Sequence, residues 1–593
     1  MAKSASARTA PRLLSGNEGI ARGAFEAGVR VACAYPGTPS TEILETLATF
    51  PGVHAQWSVN EKVALEVGIG ASLAGARALV AMKHVGLNVA SDPFITFSYT
   101  GVKGGLVVVT ADDPGMHSSQ NEQDNRHYAR LAKVPMLEPS DSQEARDFVL
   151  AAFELSEQYD TPVLVRITTR IAHSRSRVEA GERREREPAG FESNREKYVM
   201  IPAHARKRHP LVEDRMARLA EFAESTDLNR VEGNGGDLGV ITSGVSYQYV
   251  KEVCPEASIL KLGLTYPLSA RLVTEFASEV DELFVVEELD PFLEEQVRAM
   301  GLRPIGKERV PRTGELNPHL VRSALRGVAA VEGRPRLSDL PPRPPVMCPG
   351  CPHRGVFHVL NQLKCVVFGD IGCYTLGVLP PLAALDTCIC MGAGVGNALG
   401  MEKALDGDRP VVAVIGDSTF IHSGITGLID TVYNDGHTTI IILDNATTAM
   451  TGHQDHPGTG RTLQGREGPA LRFEEIARAV GVRHVSVVDP YDLGGTRQAL
   501  EQAINVDEPA VVISRHPCVL VERRTDWEPL RVDEERCEAC GLCLRLGCPA
   551  LSTVPQRGAS GKRKARINPV LCRGCRMCAQ VCKREAIVRA GGE

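Results

Sequence analysis

Long hydrophobic runs are missing from this chain of 593 residues. Its longest apolar stretches, such as Leu106–Val109 and Ile440–Leu443, fall far short of the ~20 residues a membrane-spanning helix needs. Met1 to Arg12 is polar and small, without the apolar segment that directs secretion. A basic excess is missing too: the net charge of −6 argues against a general nucleic-acid binder. Apart from two cysteine runs near the end, no internal repeat of solenoid length is present. With 43% hydrophobic and 24% charged residues, disorder is excluded for most of the chain. These absences leave a multidomain cytoplasmic protein with neither nucleic acid nor membrane as partner.

Blocks of different composition follow one another. Residues 1–173 alternate short apolar runs (Val29–Ala34, Ala78–Met82, Leu106–Thr110, Val163–Ile167) with helix-like stretches, which predicts βαβ units on a parallel sheet. Residues 174–234 are dense in Arg, Glu and Lys and read as a solvated connector with some helix. A smaller α/β block, 235–333, has strands expected at Leu238–Thr242, Ser258–Lys261 and Leu283–Val286. Arg334 to Pro345 is a proline-rich, stiff linker. A third α/β block, 346–525, has strands expected at Cys365–Phe368, Val411–Ile415, Thr439–Leu443 and Ala510–Ser514. Residues 526–593 are small, basic and rich in cysteine.

Cysteine departs from the ordinary composition, with 17 in all. A secreted disulfide scaffold would be short and carry a leader, so clustered cysteines here read as metal ligands. The first run is Cys537-x2-Cys540-x2-Cys543-x4-Cys548-Pro549, and the second is Cys572-x2-Cys575-x2-Cys578-x3-Cys582. Three cysteines at x2 spacing wrap one iron–sulfur cubane, and the fourth of each run reaches the other cluster, as in two-cluster bacterial ferredoxins. Cys537, Cys540, Cys543 and Cys582 are then one [4Fe–4S] set, and Cys572, Cys575, Cys578 and Cys548 the second. Structural zinc is the competing reading, but it does not call for a triple x2 run. Two features depart from the pattern: x4 stands in the first run, and Lys583 follows the last cysteine. An insertion, Gln556 to Arg566, carries Lys562, Arg563, Lys564 and Arg566. It is either a solvated loop or a docking patch for an acidic electron acceptor.

A second signature lies in the third block. Gly416-Asp417-Ser418 follows the Val411–Ile415 run, and Asn445 comes after 26 intervening residues, at the end of Thr439–Leu443. Two oxygen ligands are thus expected at the carboxyl ends of two strands, where ligands bind in open α/β sheets. Asp417, the Asn445 side chain and the Thr447 carbonyl suit Mg²⁺, with a diphosphate and water completing an octahedron. A glycine before the ligand lets the backbone approach a phosphate. The spacing resembles the GDG…N motif of thiamine diphosphate enzymes, with Ser418 in place of the third glycine. Gly392-Ala-Gly394-Val-Gly396 lacks a strict GxGxxG and reads as close packing near a diphosphate rather than a dinucleotide site.

YPGTPSTE (Tyr35–Glu42), NEKVALE (Asn60–Glu66), CPGCPHRG (Cys348–Gly355), GDIGCYTLG (Gly369–Gly377), GDSTFIHSGI (Gly416–Ile425) and DNATTAMTGHQ (Asp444–Gln454) precede the cysteine tail. In that order the chain resembles the large (alpha) subunits of indolepyruvate ferredoxin oxidoreductases, of the 2-oxoacid:ferredoxin oxidoreductase family. The resemblance spans nearly the whole chain and is weakest near residues 174–214. It implies two thiamine diphosphate-binding parallel-sheet domains, for the pyrimidine (1–173) and for the diphosphate and Mg²⁺ (346–525). It also implies a transketolase C-terminal-like α/β domain (235–333) and a two-cluster ferredoxin domain (526–593). The implied reaction converts an aryl 2-oxo acid, CoA and oxidised ferredoxin to an aryl-acetyl-CoA, CO₂ and reduced ferredoxin. A small beta subunit is the implied partner, and the thiamine is expected between the first and third blocks, within one chain or across a dimer.

Residue roles follow from the same resemblance. Glu61 matches the glutamate that bonds N1′ of the aminopyrimidine; without the resemblance it is a first-turn glutamate behind an Asn60 cap, and Glu66 is the fallback. Thr38 matches a threonine that contacts substrate, or is a turn residue. His353, Gly372 and Cys373 join the implied cofactor-binding set with Gly416, Asp417, Ser418, Asn445 and Thr447. Met450 stands where pyruvate-specific relatives have asparagine, and an adaptable apolar side chain suits a bulky aryl substrate. Cys348, Cys351, Cys373 and Cys518 match the ligands of a third [4Fe–4S] near the thiamine, against a tight turn or a zinc knuckle. Cys365, Cys388 and Cys390 read as buried core thiols. A pyruvate-like specificity, a non-oxidative thiamine decarboxylase and a purely electron-carrying subunit are the rival readings.

Overall fold

The computed structural model describes residues 11–233, 235–327, 344–405, 409–522, 527–558 and 561–590. Most of the proline-rich linker Arg334 to Pro345 lies outside the described residues. The chain divides into two compact units, residues 1–338 and 339–593.

The first unit is organised by a seven-stranded sheet in the order Leu264–Tyr266, Met136–Leu137, Val163–Thr168, Leu106–Asp112, Ala78–Lys83, Val31–Ala34, His54–Trp57. The strands pair in parallel except at the first edge, where Leu264 faces Leu137 antiparallel. Every residue of Ala78–Lys83, Leu106–Asp112 and Val163–Thr168 is buried. That explains why these strands read as continuous apolar runs: helices cover both faces of a parallel sheet. Each Val or Leu so buried contributes about 1.5–3 kcal/mol.

A four-stranded sheet lies in the same unit, in the order Val280–Val286, Gly236–Ser243, Ser258–Leu262, Arg230–Glu232. The chain leaves it after Leu262 and donates Leu264–Tyr266 to the edge of the first sheet. Charged residues tie the two sheets further. Arg126, buried in the helix Arg126–Ala132, donates to Asp124, to Glu287 (2.5 Å) and to the Glu288 carbonyl (2.8 Å). Arg166 donates to Asp112 (2.8 Å) and Glu138 (2.6 Å). Glu288 accepts from the Leu316 N–H (2.9 Å), and burial pushes its carboxyl up to about 7. Such a network adds little net stability but penalises any misaligned packing of the two sheets.

The charged connector contains a 24-residue helix, Pro202–Ser225, that runs through Pro210. Val212, Arg215, Leu219 and Ala223 form a buried stripe on it. Arg215 donates to the carbonyls of Ser98 and Asp160 (both 2.8 Å) and Arg208 to that of Tyr99 (2.8 Å). The expected helix is present, with one face docked and the others in solvent.

The second unit holds a five-stranded parallel sheet in the order Val366–Phe368, Val411–Gly416, Thr439–Asp444, Ala510–Arg515, His484–Val488. Beyond it, Leu530–Val532 pairs antiparallel with Ile587–Arg589, and Leu551–Arg557 forms a hairpin with Arg563–Ile567. Their small core is Leu530, Leu546, Ala565, Ile567, Met577 and Ile587, packed among the tail cysteines. Among the described residues no helix is long and apolar enough to cross a membrane.

Candidate functional site

The parallel strands Val411–Gly416 and Thr439–Asp444 set Gly416 opposite Leu443, so Asp417 and Asn445 leave the sheet at neighbouring points. The Asn445 N–H donates to Asp417 Oδ2 (3.2 Å) and the Ser418 N–H to Asp417 Oδ1 (2.7 Å). One end of the Asn445 amide stands 2.8 Å from the Thr447 carbonyl oxygen and 3.3 Å from Asp417 Oδ2. With nitrogen at that end the three groups close by hydrogen bonds. With oxygen there, three oxygens converge without a proton among them, which a hard divalent cation stabilises. The predicted ligands are therefore brought together, and their all-oxygen donor set fits Mg²⁺.

The surroundings of this triad were less visible in the sequence. His353, at the start of the helix His353–Leu363, brings Nε2 to 3.5 Å from Asn445 Nδ2. Burial pushes this imidazole down to about 4, so it is neutral at physiological pH. His456 Nε2 stands 3.2 Å from Asp417 Oδ2, off the line a hydrogen bond requires. Ser418 Oγ accepts from Thr448 Oγ1 (3.0 Å), tying the two loops together. Gly416 has an ordinary φ of −75°, and what demands glycine there is Tyr374: an added Cβ would come within 2.7 Å of that ring. The same ring would meet a Cβ on Gly372 at 2.3 Å. The chain after Asp417 runs into a π-helical turn, Phe420–Gly424, a distortion that recurs at functional sites.

Of the glycine-rich stretch, Gly392 and Gly394 are closely packed, a Cβ on Gly394 lying 2.8 Å from the Gly369 carbonyl, whereas a Cβ on Gly396 would meet open space. The amides of the stretch face a protein carboxylate. Asp370 accepts from the N–H groups of Ile371 (2.8 Å), Gly392 (3.0 Å) and Gly394 (3.1 Å), and burial pushes it up to about 6. Asp370 went unnoticed in the sequence, although it follows a strand as Asp417 does.

Four cysteines gather nearby in the same unit. Burial pushes the Cys373 thiol up to about 11, with Cys518 and Cys348 as its charged neighbours. Cys351 is pushed up to about 12 by burial, with Cys348 and Cys373 beside it. Cys518 lies against Cys348 and near Asp417. Thiols held this far from their ionised form become ligands only to a metal centre that repays the deprotonation. In the tail, burial pushes the Cys543 thiol up to about 11, with Cys540, Cys582 and Cys537 adding to the shift, and it raises the Cys578 thiol, with Cys575, Cys572, Cys548 and Cys543 adding to that one. Around one tetrahedral zinc, sulfurs stand ~3.8 Å apart, given Zn–S bonds of about 2.3 Å. Among the described residues the only group of ligand atoms all within 4.8 Å of one another is Asp124, His127 and Asp290. The cysteine sets are wider, which suits a cluster better than one ion. Asp124 already accepts from Arg126, so that carboxylate is committed to the ion-pair network.

Arg354 stands between these sets. It is buried and has no carboxylate partner among the described residues: Nη1 donates to the carbonyls of Leu546 (3.0 Å) and Gly547 (2.7 Å), Nε to that of Cys348 (3.3 Å), and Nη2 to that of Met347. Burial lowers its pKa, and the groups that oppose this are Cys548, Cys351, Cys348 and Cys575. A buried guanidinium needs countercharge, and the cysteine sulfurs around this one would supply it once a metal centre deprotonates them. Cys365 is buried as expected and Cys388 half-buried; Cys390 is exposed, because it lies in the loop before the helix Ala393–Ala404 rather than in the sheet.

In the first unit, Asn60 caps the helix Glu61–Leu73 by accepting from the Val63 N–H (2.9 Å), which buries the Glu61 carboxylate at the first turn. Gly86 gives it room: a Cβ there would meet Glu61 Oε1 at 2.8 Å. The fallback Glu66 is exposed and pairs with Lys62. Thr38 is half-buried, and its carbonyl accepts from Ser118 Oγ (3.4 Å). Lys83 ends the strand Ala78–Lys83 beneath Gly37 and donates to the Ser118 carbonyl (2.7 Å). Burial pushes its ammonium down to about 8, against Asp113. His84 follows, buried and likewise pushed down by burial. Neither Lys83 nor His84 stands out in the sequence, since only the fold buries them.

A family model described as the C-terminal TPP binding domain of thiamine pyrophosphate enzymes matches residues 370–514. One described as pyruvate flavodoxin/ferredoxin oxidoreductase, thiamine diphosphate-binding, matches residues 22–225. Indolepyruvate oxidoreductase subunit IorA of Methanothermobacter marburgensis is 44% identical, covering 98% of this chain and 97% of its own. The same subunit of Archaeoglobus fulgidus is 44% identical, with 97% of each chain covered. That of Pyrococcus horikoshii is 42% identical over 96% of this chain and 95% of its own.

Proposed function

The chain belongs to the indolepyruvate oxidoreductase subunit IorA family, being 44% identical to one member over 98% of its length, and from this we propose its reaction. An aryl 2-oxo acid of the indolepyruvate class is oxidatively decarboxylated with CoA to an aryl-acetyl-CoA and CO₂, and two electrons pass singly to ferredoxin. The observation that carries this reading is the convergence of Asp417, Asn445 and the Thr447 carbonyl within the stretch matched as a thiamine-binding domain.

Bound thiamine diphosphate supplies the nucleophilic carbon and electron sink that decarboxylation of a 2-oxo acid needs, and iron–sulfur clusters supply one-electron carriage. The chain's residues do the rest. Asp417, the Asn445 side chain and the Thr447 carbonyl would hold Mg²⁺, which would supply positive charge for the diphosphate. Glu61, buried behind its cap, holds the aminopyrimidine N1′ proton. Lys83, near the Thr38 loop, is the cation available for the substrate carboxylate, and Thr38 orients the substrate. Neutral His353 can exchange a hydrogen bond beside Asn445 without adding charge. Cys348, Cys351, Cys373 and Cys518 hold a third [4Fe–4S] beside the two tail sets, and Arg354 provides their shared countercharge. Met450, half exposed on the loop after the metal ligands, favours an aryl substrate over pyruvate. The relatives are subunits by name, and a small beta subunit completes the enzyme.

The test is anaerobic absorbance of the chain copurified with its partner, given indolepyruvate or pyruvate with and without CoA. Bleaching of the cluster band by indolepyruvate, with turnover only when CoA and an acceptor are present, is the expected result. Bleaching by pyruvate alone overturns the aryl specificity. Aldehyde release without bleaching overturns the oxidoreductase reading in favour of a decarboxylase.

A further inference from the structure

We propose that the hairpin Leu551–Arg557/Arg563–Ile567 is the docking surface for an acidic one-electron carrier protein, seated beside Cys537 and Cys540. The choice of carrier rests on the function proposed above; the surface itself rests on charge and geometry.

Between Arg531 and Ala590 there are thirteen Lys and Arg against five Asp and Glu, in a chain whose net charge is −6. The basic excess is therefore local, and it opposes the sign of the rest of the protein. The hairpin concentrates it: Arg557, Lys562, Arg563 and Arg566 are all exposed. Its turn closes through the Gly558 N–H donating to the Lys562 carbonyl (3.0 Å).

Its position is fixed against one of the two tail cysteine sets. Gly558 packs so tightly on the Glu538 carbonyl that a Cβ would come within 2.7 Å of it, and Lys564 Nζ donates to the Glu534 carbonyl. Cys537 and Cys540 flank Glu538, and Cys540 is exposed. The other set lies on the side of Arg354, which donates to the Gly547 carbonyl next to Cys548 (2.7 Å), and of Gly350, where a Cβ would meet Arg573, next to Cys572, at 2.8 Å. The set beside the hairpin is thus the outer one, the one a separate protein can approach. Acidic neighbours reduce the field without cancelling it: Glu538 is paired with Arg584 (2.8 Å) and Asp533 with Arg536 (3.5 Å), leaving Glu534 and Glu535. Clusters with four thiolates are themselves anionic, so this cationic rim also lets an anionic carrier approach an anionic centre. Each docking transfers one electron to one oxidised carrier, so two carriers are reduced per 2-oxo acid consumed.

The experiment uses the holoenzyme with its partner subunit, and as probe a single-cluster ferredoxin rich in Asp and Glu. Affinity is measured by calorimetry for the wild type, for K562E/R563E/R566E, and for R206E/K207E/R218E, an equal charge change on the helix Pro202–Ser225. The hairpin variant is expected to bind at least about tenfold more weakly at low salt, the gap closing as ionic strength approaches ~0.5 M. The helix variant should bind like the wild type, and substrate-driven reduction of methyl viologen should be unchanged in both. Equal affinity of the hairpin variant, or equal weakening in the helix variant, overturns the proposal. Competition by poly(U) RNA with the same affinity as ferredoxin also overturns it, in favour of a general polyanion surface. If no 2-oxo acid reduces methyl viologen, the proposed reaction fails while the affinities still decide the docking site.

Discussion

Arg354 Nη1 donates to the Gly547 carbonyl 2.7 Å away, so a residue three past Cys351 grips the chain one residue before Cys548. One buried cation thereby fixes the spacing between two cysteine sets. In R354Q the buried carbonyls of Met347, Leu546 and Gly547 lose donors, at about 1–3 kcal/mol for each left unsatisfied. The expected outcome is a lower unfolding midpoint and slower reduction of ferredoxin. Thiamine diphosphate affinity should stay within severalfold of the wild type. Loss of thiamine binding with an unchanged midpoint would contradict the bridging role.

Iron analysis separates three clusters from two. About 12 iron atoms per chain are expected in the wild type and about 8 in C518S, since each cubane holds four. The thiamine content should be unchanged. A wild type with about 8 atoms would make the four cysteines around Cys373 something other than a cluster site.

Glu61→Gln keeps the size and capping geometry of the helix start but cannot hold the N1′ proton. Thiamine diphosphate should bind within severalfold of wild-type affinity. Exchange of the thiazolium C2 proton into deuterium oxide should slow by roughly 10²–10⁴, the range of a lost acid–base group. Unchanged exchange would move that role elsewhere.

Lys83 gives a pH signature. Its ammonium titrates near 8 because burial disfavours the charge, with Asp113 acting in the opposite sense and His84 beside it. Below that pH it is charged and can pair with a carboxylate; above it the pair is lost. KM for the 2-oxo acid should therefore rise as pH passes about 8, with kcat less affected, and K83R should flatten the rise. A KM independent of pH from 7 to 9 would remove Lys83 from carboxylate binding.

Glu288 gives a stability signature of the same origin, burial, with the shift in the opposite direction. Its folded pKa of about 7 exceeds the model-peptide value of 4.5, so the folded state holds the proton more tightly than the unfolded state. Stability from this group is present below about 4.5 and is lost as pH rises through 7. Glu288→Gln keeps an acceptor for Leu316 and should raise the unfolding midpoint at pH 8 while leaving it unchanged at pH 4.5. Equal midpoints at both values would contradict the shift.

Strands such as Ala78–Lys83 and Val411–Gly416 were legible in the sequence because burial on both faces writes them as unbroken apolar runs. The candidate oxygen ligands Asp417 and Asn445 were legible because each directly follows such a strand. The docked stripe of Pro202–Ser225 was not, since four buried positions are outnumbered by charge, and one of the four is an arginine. Leu264–Tyr266 is too short to register as a strand. Arg354 and Lys83 look in the sequence like any surface cation, and only the burial around them changes their chemistry. Cys390 shows the opposite failure: cysteine is so often buried that its exposure here ran against the prior.

The loan of Leu264–Tyr266 to the first sheet has a consequence for how such proteins can be divided. Were the gene split near residue 235, the upstream product would present Met136–Leu137 as a bare sheet edge, with its ladder partners on another polypeptide. An uncovered edge of that kind pairs with whatever strand it meets, including its own copies. Inheritance of the first two α/β blocks on one polypeptide is thus a safeguard against aggregation as much as a matter of catalysis.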